Sequence, residues 1–223
     1  MATTMMDFNN NPNVGLFGFA TNNYILVGKE ISDETVKEIK RIFELPVHKI
    51  NIAGTSLIGV FIAGNDDVIL VPGITFESEL EELDKLKIKY KVLKTDLTCL
   101  GNNIIVSESG VLVNENFSTS DIKIIKEVFG LPVEKMSIAN TEIPGACIVT
   151  NRDKALIHRD TSSYEIKFIE KVLKVKTIPG TVNLGVPYVR SGILCNKKSM
   201  IIGESSGPAE IMNAEEALGF IEG

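Results

Sequence analysis

The chain repeats itself, and that repetition constrains its fold more than any single motif. Asn22, Asn65, Asn151 and Asn196, with Glu108 filling one gap, stand at steps of 43, 43, 43 and 45 residues. Each anchor follows a short apolar stretch (15–20, 59–63, 104–106, 145–149, 192–194) and precedes a second (24–27, 68–71, 111–113, 155–157, 200–202). Two short runs rich in β-branched residues, separated by Asn, Asp, Gly or Ser, read as a β-hairpin. Five units therefore each open on a hairpin.

After each hairpin the apolar spacing changes to a helical period. Val36, Ile39, Ile42 and Phe43 recur as Ile122, Ile125, Val128 and Phe129, and again as Ile166, Ile169, Val172 and Leu173. Leu80, Leu83 and Leu86, then Ile211, Ala214 and Leu218, are looser copies. Such spacing puts one apolar stripe per unit against a core and leaves Lys and Glu on the wet face. Ser162 with Glu165 reads as a capping box, Pro208 as a first helical turn, and Gly130 and Gly219 as helix ends.

A third apolar run follows the helix, clearest at 49–53, 90–93 and 135–139. Residues 40–59 match 126–145 at ten of twenty positions, including Leu45-Pro46-Val47 against Leu131-Pro132-Val133. The unit is strand, strand, helix, strand. All-β blades and all-helical solenoids share this period but do not alternate hairpins with amphipathic helices. The fifth unit reaches Gly223 directly after its helix, and one period back from Lys49 lies Met6. Residues 3–8 are therefore expected to complete the fifth unit and close a ring, which removes open sheet edges. The expected repeats are 14–54, 55–97, 98–141, 142–184 and 185–223, in a single domain of 1–223.

No Pro/Ser/Gly-rich linker interrupts the repeat, and a domain of 223 residues buries roughly 70% of its unfolded surface. No run approaches the roughly 20 apolar residues of a membrane span, and residues 1–13 lack the basic and apolar regions of a secretion signal. Cys99, Cys147 and Cys195 are odd in number, widely spaced and free of any CxxC pattern, which suits reduced thiols in a cytoplasm. A net charge of −6 disfavours a protein whose binding rests on the nucleic-acid backbone and suits a basic protein partner. No cofactor or metal is expected.

One constellation looks catalytic. His158-Arg159-Asp160 with Cys195 in the next unit supplies the residue types of a thiolate nucleophile and its base; deiminases and amidinotransferases, guanidine-modifying enzymes with five such blades, use a similar set. Against it, Cys195 occupies the strand-end position held by Thr21, Gly64, Ser107 and Thr150, where a cysteine is ordinary packing. Gly15 with Gly18, and Gly180 with Gly185, lack the spacing of a phosphate-binding loop and read as turns. Glu77, Glu79, Glu81 and Glu82 read as a solvated helix face, and Lys197-Lys198 as a hairpin turn with room for a minor nucleic-acid contact.

Repeat symmetry puts the joints between units at one end of the ring. They read Asn9 to Asn13, Gly54-Thr55-Ser56, Leu100-Gly101-Asn102-Asn103, Asn140-Thr141-Glu142 and Gly180-Thr181-Val182-Asn183. Turn chemistry accounts for Asn and Gly there; the alternative is a polar, uncharged recognition rim on a rigid scaffold.

Phe8-Asn9-Asn10 with Gly15, Ile52-Ala53-Gly54, Ile58-Gly59, Gly64-Asn65, Leu70-Val71-Pro72, Leu100-Gly101-Asn102 and Gly180-Thr181-Val182-Asn183 closely resemble the translation initiation factor 6 family in its archaeal form, over nearly the whole chain. The resemblance implies an α/β pentein fold, a β/α-propeller of five ββαβ repeats with pseudo-fivefold symmetry. It implies a noncatalytic factor, monomeric and cytoplasmic, that binds the large (50S) ribosomal subunit and blocks joining of the small (30S) subunit, with a further part in large-subunit maturation. The docking site it implies lies beside ribosomal protein uL14 and near the sarcin–ricin loop of rRNA, with Asn102 at a position implicated in docking. The rim residues expected to bind are Asn9, Asn10, Gly54, Thr55, Gly101, Asn102, Thr181 and Asn183. The phosphorylatable acidic tail of eukaryotic forms is not expected.

Overall fold

The computed structural model describes residues 2–221. Five three-stranded sheets stand around one axis. Four are built from consecutive strands, for example Gly18–Ala20, Ile25–Gly28 and Val47–Ile50, with the hairpin antiparallel and the third strand parallel to the middle one. The outer helix, here Asp33–Phe43, makes the crossover between the two parallel strands, as parallel pairing requires. Middle strands such as Ile25–Gly28 and Ile69–Pro72 are buried along their whole length, which accounts for their continuous apolar runs.

The fifth sheet closes the ring as the repeat predicts. Ile193–Cys195 and Ser199–Gly203 form its hairpin, and the N-terminal strand Ala2–Met6 lies parallel to Ser199–Gly203, from Ala2 opposite Ser199 to Met6 opposite Gly203. Met6 and Phe8 enter the core of the first blade with Val14, Ile25, Ile39 and Phe43. The N-terminal segment thus completes the last blade and packs into the first.

The helices carry the expected stripes and signals. Ser162 caps Ser163–Leu173 in a capping box with Glu165, Pro208 opens Pro208–Ala217, and Gly130 and Gly219 end helices with positive φ. Ile39 and Phe43, Ile125, and Ile169 and Leu173 are the buried members of the three regular stripes.

Two expectations are corrected. The third strand of the third unit is Val133–Lys135 rather than 135–139, because residues 138–141 form a tight turn. The first apolar run of each unit is two elements, not one: a single helical turn (Val14–Phe17, Ile58–Phe61, Leu100–Asn103, Pro144–Cys147, Val189–Gly192) and then the strand. These five inner turns pack one on the next around the axis. Their second residues are Gly15, Gly59, Gly101, Gly145 and Arg190. A Cβ on Gly15, Gly59, Gly101 or Gly145 would come within 1.9, 1.8, 2.0 and 2.3 Å of the main-chain oxygen of Arg190, Gly15, Gly59 and Gly101 respectively. Backbone therefore touches backbone around most of the axis.

Candidate functional site

The ring has two unlike ends. Joints and outer-helix N-termini share one end, because the middle and third strands of each blade run toward it; hairpin turns occupy the other.

At the joint end, tight turns bridge Phe8 with Asn11, Ile52 with Thr55, Ile138 with Thr141 and Val182 with Val186. Their tips take positive φ: Asn9 and Asn10, Ala53 and Gly54, Ala139 and Asn140, Asn183 and Leu184. The left-handed region favours Gly and Asn, which explains the recurrent joint composition. An acid in the first turn of the next helix clamps most of these joints. Glu79 accepts the N–H groups of Ala53 (2.8 Å) and Gly54 (2.9 Å), and Glu165 accepts that of Ala139 (2.8 Å). Glu210 accepts those of Leu184 (3.1 Å) and Gly185 (2.8 Å) and the Thr181 hydroxyl (2.6 Å). Asp121 accepts the Thr95 hydroxyl at 3.4 Å. The helix-capping acid thus also stiffens the rim, and capping-box spacing was the signal for it.

These clamps respond to acid. Burial alone would raise the Glu210 carboxyl, but the bonds from Thr181, Gly207, Gly185 and Leu184 hold it below the ordinary value of 4.5; Glu165 is likewise lowered, with Ser162 and Ala139 as donors. A carboxyl depressed in the folded state stabilises fully above its unfolded value and loses that contribution as pH falls through the folded one. Exchange protection at Leu184, Gly185 and Ala139 is expected to fall as pH drops below about 4.5, and Glu210→Gln should show the loss at Leu184 and Gly185 already at neutral pH. Protection that ignores both changes would refute the clamp.

The residues expected at the rim divide into three groups. Asn9, Asn10 and Gly54 are exposed and Thr55 is half-buried on the turns. Thr181 is half-buried with its hydroxyl on Glu210, while Asn183 is buried, its Nδ2 donating to the Pro12 carbonyl at 2.9 Å, so it ties two blades together. Gly101 and Asn102 lie in the inner helical turn rather than in a joint; the joint of that unit is the stretch 94–99. Gly101 is buried in the axial packing, and Asn102 borders a depression of about 210 Å³ on the axis with Gly59, Ala146, Tyr188 and Arg190.

The rim is not purely polar. Leu184, at the tip of its turn, is 82% exposed, Phe76 lies against Gly54 at 58%, and Tyr164, Ile74 and Tyr188 are also exposed at this end. Composition carried no signal for them, since every apolar residue in a repeat looks like core. His158 is buried beneath the rim, edge-on to Tyr188 with ring centroids 5.7 Å apart. Burial holds its pKa below the ordinary value.

At the hairpin end an axial cavity of about 450 Å³ opens, and all five repeat anchors border it. The anchors shape turns and latch blades. Asn196 Oδ1 accepts the N–H groups of Lys198 and Ser199, and its Nδ2 donates to the Thr21 carbonyl. Asn22 donates its N–H and Nδ2 to Asp66 at 2.8 and 2.7 Å, and Lys197 reaches across to Glu108 at 2.5 Å. Cys195 lines this cavity, and burial pushes its thiol up to about 12 despite the nearby Arg190.

Cys195 and His158 do not meet. Cys195 pairs with Met200 as Thr150 pairs with Ala155, whereas His158 lies three residues beyond Ala155 on the same strand. That places the two at opposite ends of neighbouring blades, offset by roughly 10 Å along the strand direction alone. Among the described residues no three His, Cys, Asp or Glu side chains cluster to hold a metal.

Five ββαβ blades closed on an axis define a pentein. Solved structures similar to it include a dimethylarginine dimethylaminohydrolase variant in adduct with S-methyl-L-thiocitrulline (TM-score 0.55, 15% identity, 75% of this chain and 68% of that one). Another is the N-terminal domain of the arginine dihydrolase ArgZ (TM-score 0.51, 13% identity, 75% and 68%); at such identities the likeness concerns the fold alone. The model of the eIF-6 family matches residues 3–217, and the chain belongs to that family. It is 32% identical over 222 residues to Translation initiation factor 6 of Pyrococcus abyssi (strain GE5 / Orsay), spanning 97% of this chain and 98% of that protein. With Translation initiation factor 6 of Saccharolobus islandicus (strain L.S.2.15 / Lassen #1) the identity is 34% over 210 residues, spanning 93% and 94%.

Proposed function

We propose that this protein is a cytoplasmic translation initiation factor that docks on the large ribosomal subunit through its joint end and keeps the small subunit from joining, by volume alone and as a monomer. The observation that carries the reading is the rim: tight turns, most of them clamped by carboxylates, that present Asn9, Asn10, Gly54 and Thr55 together with the exposed Phe76, Leu184 and Tyr188. A rigid polar edge studded with large apolar side chains is the composition of a protein-binding surface. A standard interface takes about 800 Å² per partner, a small share of the 10141 Å² surface of this protein.

The net charge of −6 suits a basic ribosomal protein, uL14, as the main partner, with a minor contact near the sarcin–ricin loop. Binding should therefore weaken only mildly with salt, since each phosphate contact would add almost one unit to the log–log slope. Asn102, on the axis at the docking end, is well placed to contribute. Gly101 and Asn183 act from behind, by holding the inner turns and the Thr181 joint in place. The absence of catalysis in this reading is supported by the separation of His158 from Cys195 and by the high pKa of the thiol, which leaves it protonated near neutrality.

Co-sedimentation with isolated large subunits, with small subunits as the control, tests the reading. The native protein should pellet with large subunits only, and so should Cys195→Ala. Leu184→Asp is expected to weaken binding about tenfold or more, as loss of an anchoring apolar side chain does, and Asn102→Ser or Thr181→Ala should weaken it less. Lys198→Glu, at the hairpin end, should leave it unchanged. Undiminished pelleting of Leu184→Asp and Asn102→Ser together, or equal pelleting with small subunits, would overturn the assignment.

A further inference from the structure

We propose that the axial cavity is a binding site for a small oxyanion, a carboxylate- or phosphate-bearing molecule held by Arg190. Four of the five inner turns carry a glycine at their second position, and the fifth carries Arg190. Its side chain crosses the axis from the fifth blade to the second, where Nη2 donates to the Ile62 carbonyl at 3.3 Å. A guanidinium carries five N–H donors in a fixed fork, and this is the one bond it makes among the described residues. Arg190 borders the cavity of about 450 Å³, the size of a small-molecule site, and on its other side the depression of about 210 Å³.

The charge of Arg190 is also uncompensated. No carboxylate among the described residues pairs with it, and its charged neighbours are limited to the Cys195 thiol, which stays neutral. Partial removal from water lowers the Arg190 pKa to about 10, a sign that the half-buried cation is held at a cost. Charges withdrawn from water are ordinarily paired, and an oxyanion offering two acceptors to the guanidinium fork supplies a partner. Three acids border the opening, Asp66, Asp67 and Glu108, of which Asp66 accepts from Asn22 and Glu108 pairs with Lys197, and none of them reaches the guanidinium. Arg152, which pairs with no carboxylate among the described residues, lies at the same mouth and would draw an anion inward. The cavity opens at the hairpin end, away from the rim, while the same Arg190 borders the depression beside Asn102 on the other side of the inner turns.

The test uses the full-length protein with inorganic phosphate and, separately, acetate, against chloride at matched ionic strength. At about a hundredfold excess over the dissociation constant the Tm should rise by roughly 5–10 °C and then level off. Whichever of the two gives the tighter saturation identifies the oxyanion class. Arg190→Met should abolish the saturable response. Cys195→Asp, which places a carboxylate beside the guanidinium, should abolish it while keeping Arg190. Selenate soaked into crystals of the native protein should give an anomalous peak at the guanidinium, a readout that holds even if neither variant folds. A native protein with no saturable response, a response that survives Arg190→Met, or selenate bound only elsewhere would each overturn the proposal.

Discussion

Removal of residues 1–8 is expected to leave a chain that does not fold cooperatively at about 37 °C. Terminal residues are usually expendable, but here Ala2–Met6 pairs along its full length with Ser199–Gly203, a strand buried at every position. Phe8, fully buried, fills the core of the first blade with Met6. Truncating one buried Phe alone costs about 3–5 kcal/mol, against a total stability of about 5–15 kcal/mol for a typical domain. The deletion also uncovers an apolar strand edge, which invites association between chains. Thermal melting followed by circular dichroism, with size-exclusion chromatography, should show a lost transition and oligomers, and a synthetic peptide of residues 1–8 should restore the transition. An unchanged Tm would mean that the ring does not depend on its clasp.

Gly59→Ala should be nearly as damaging, against the direction that local preference predicts. Gly59 sits inside the helical turn Ile58–Phe61, where alanine is favoured over glycine by about 1 kcal/mol. The new Cβ would stand 1.8 Å from the Gly15 oxygen and 2.7 Å from that of Gly18, both main-chain atoms that no rotamer change can move aside. Relief requires the inner turns of two blades to separate, and the packing of all five turns would shift with them. A loss of more than about 4 kcal/mol in urea denaturation is expected, the range of a strained or overpacked core site. Gly207→Ala, with no atom within 4 Å of its added Cβ, is the control and should change stability by about 1 kcal/mol at most. A Gly59→Ala protein more stable than the native one would show that propensity outweighs the axial contact.

Much of the architecture is written in local pattern. Hairpins, helical stripes and the capping box at Ser162 follow from side chains that recur every 43 residues, since each depends on neighbours close in sequence, and the closing strand follows from counting that period back past the first unit. The repeat anchors themselves, Asn22, Asn65, Glu108, Asn151 and Asn196, mark hairpin turns, and the structure gathers them round one cavity mouth. The inner helical turns were hidden because four apolar residues ahead of a strand have no period of their own and merge with it. Leu100-Gly101-Asn102-Asn103 read as a joint for the related reason that Gly and Asn also suit a loop, although the true joint is the shorter stretch 94–99 just before it.

The candidate site was legible in position and only partly in chemistry. The sequence located the joint end and named Asn9, Asn10 and Gly54, which the structure exposes, and Thr55, which is half-buried. It could not reveal that Leu184 and Phe76 face outward, because exposure of an apolar residue depends on which neighbour covers it. Nor could it reveal that Asn183 faces inward to Pro12, 171 residues away in the chain.

Periodicity by itself thus determined five blades, their internal order and the need for an N-terminal clasp, because those follow from alternation and spacing along the chain. Closure of the ring decided the rest. It brought four glycines into backbone contact and left the Arg190 guanidinium on the axis, and it separated His158 from Cys195 by the height of a sheet. It also turned helix-capping acids into clamps on the turns of the joint end. These properties depend on residues from different blades meeting in space, a distance that no spacing along a single chain encodes.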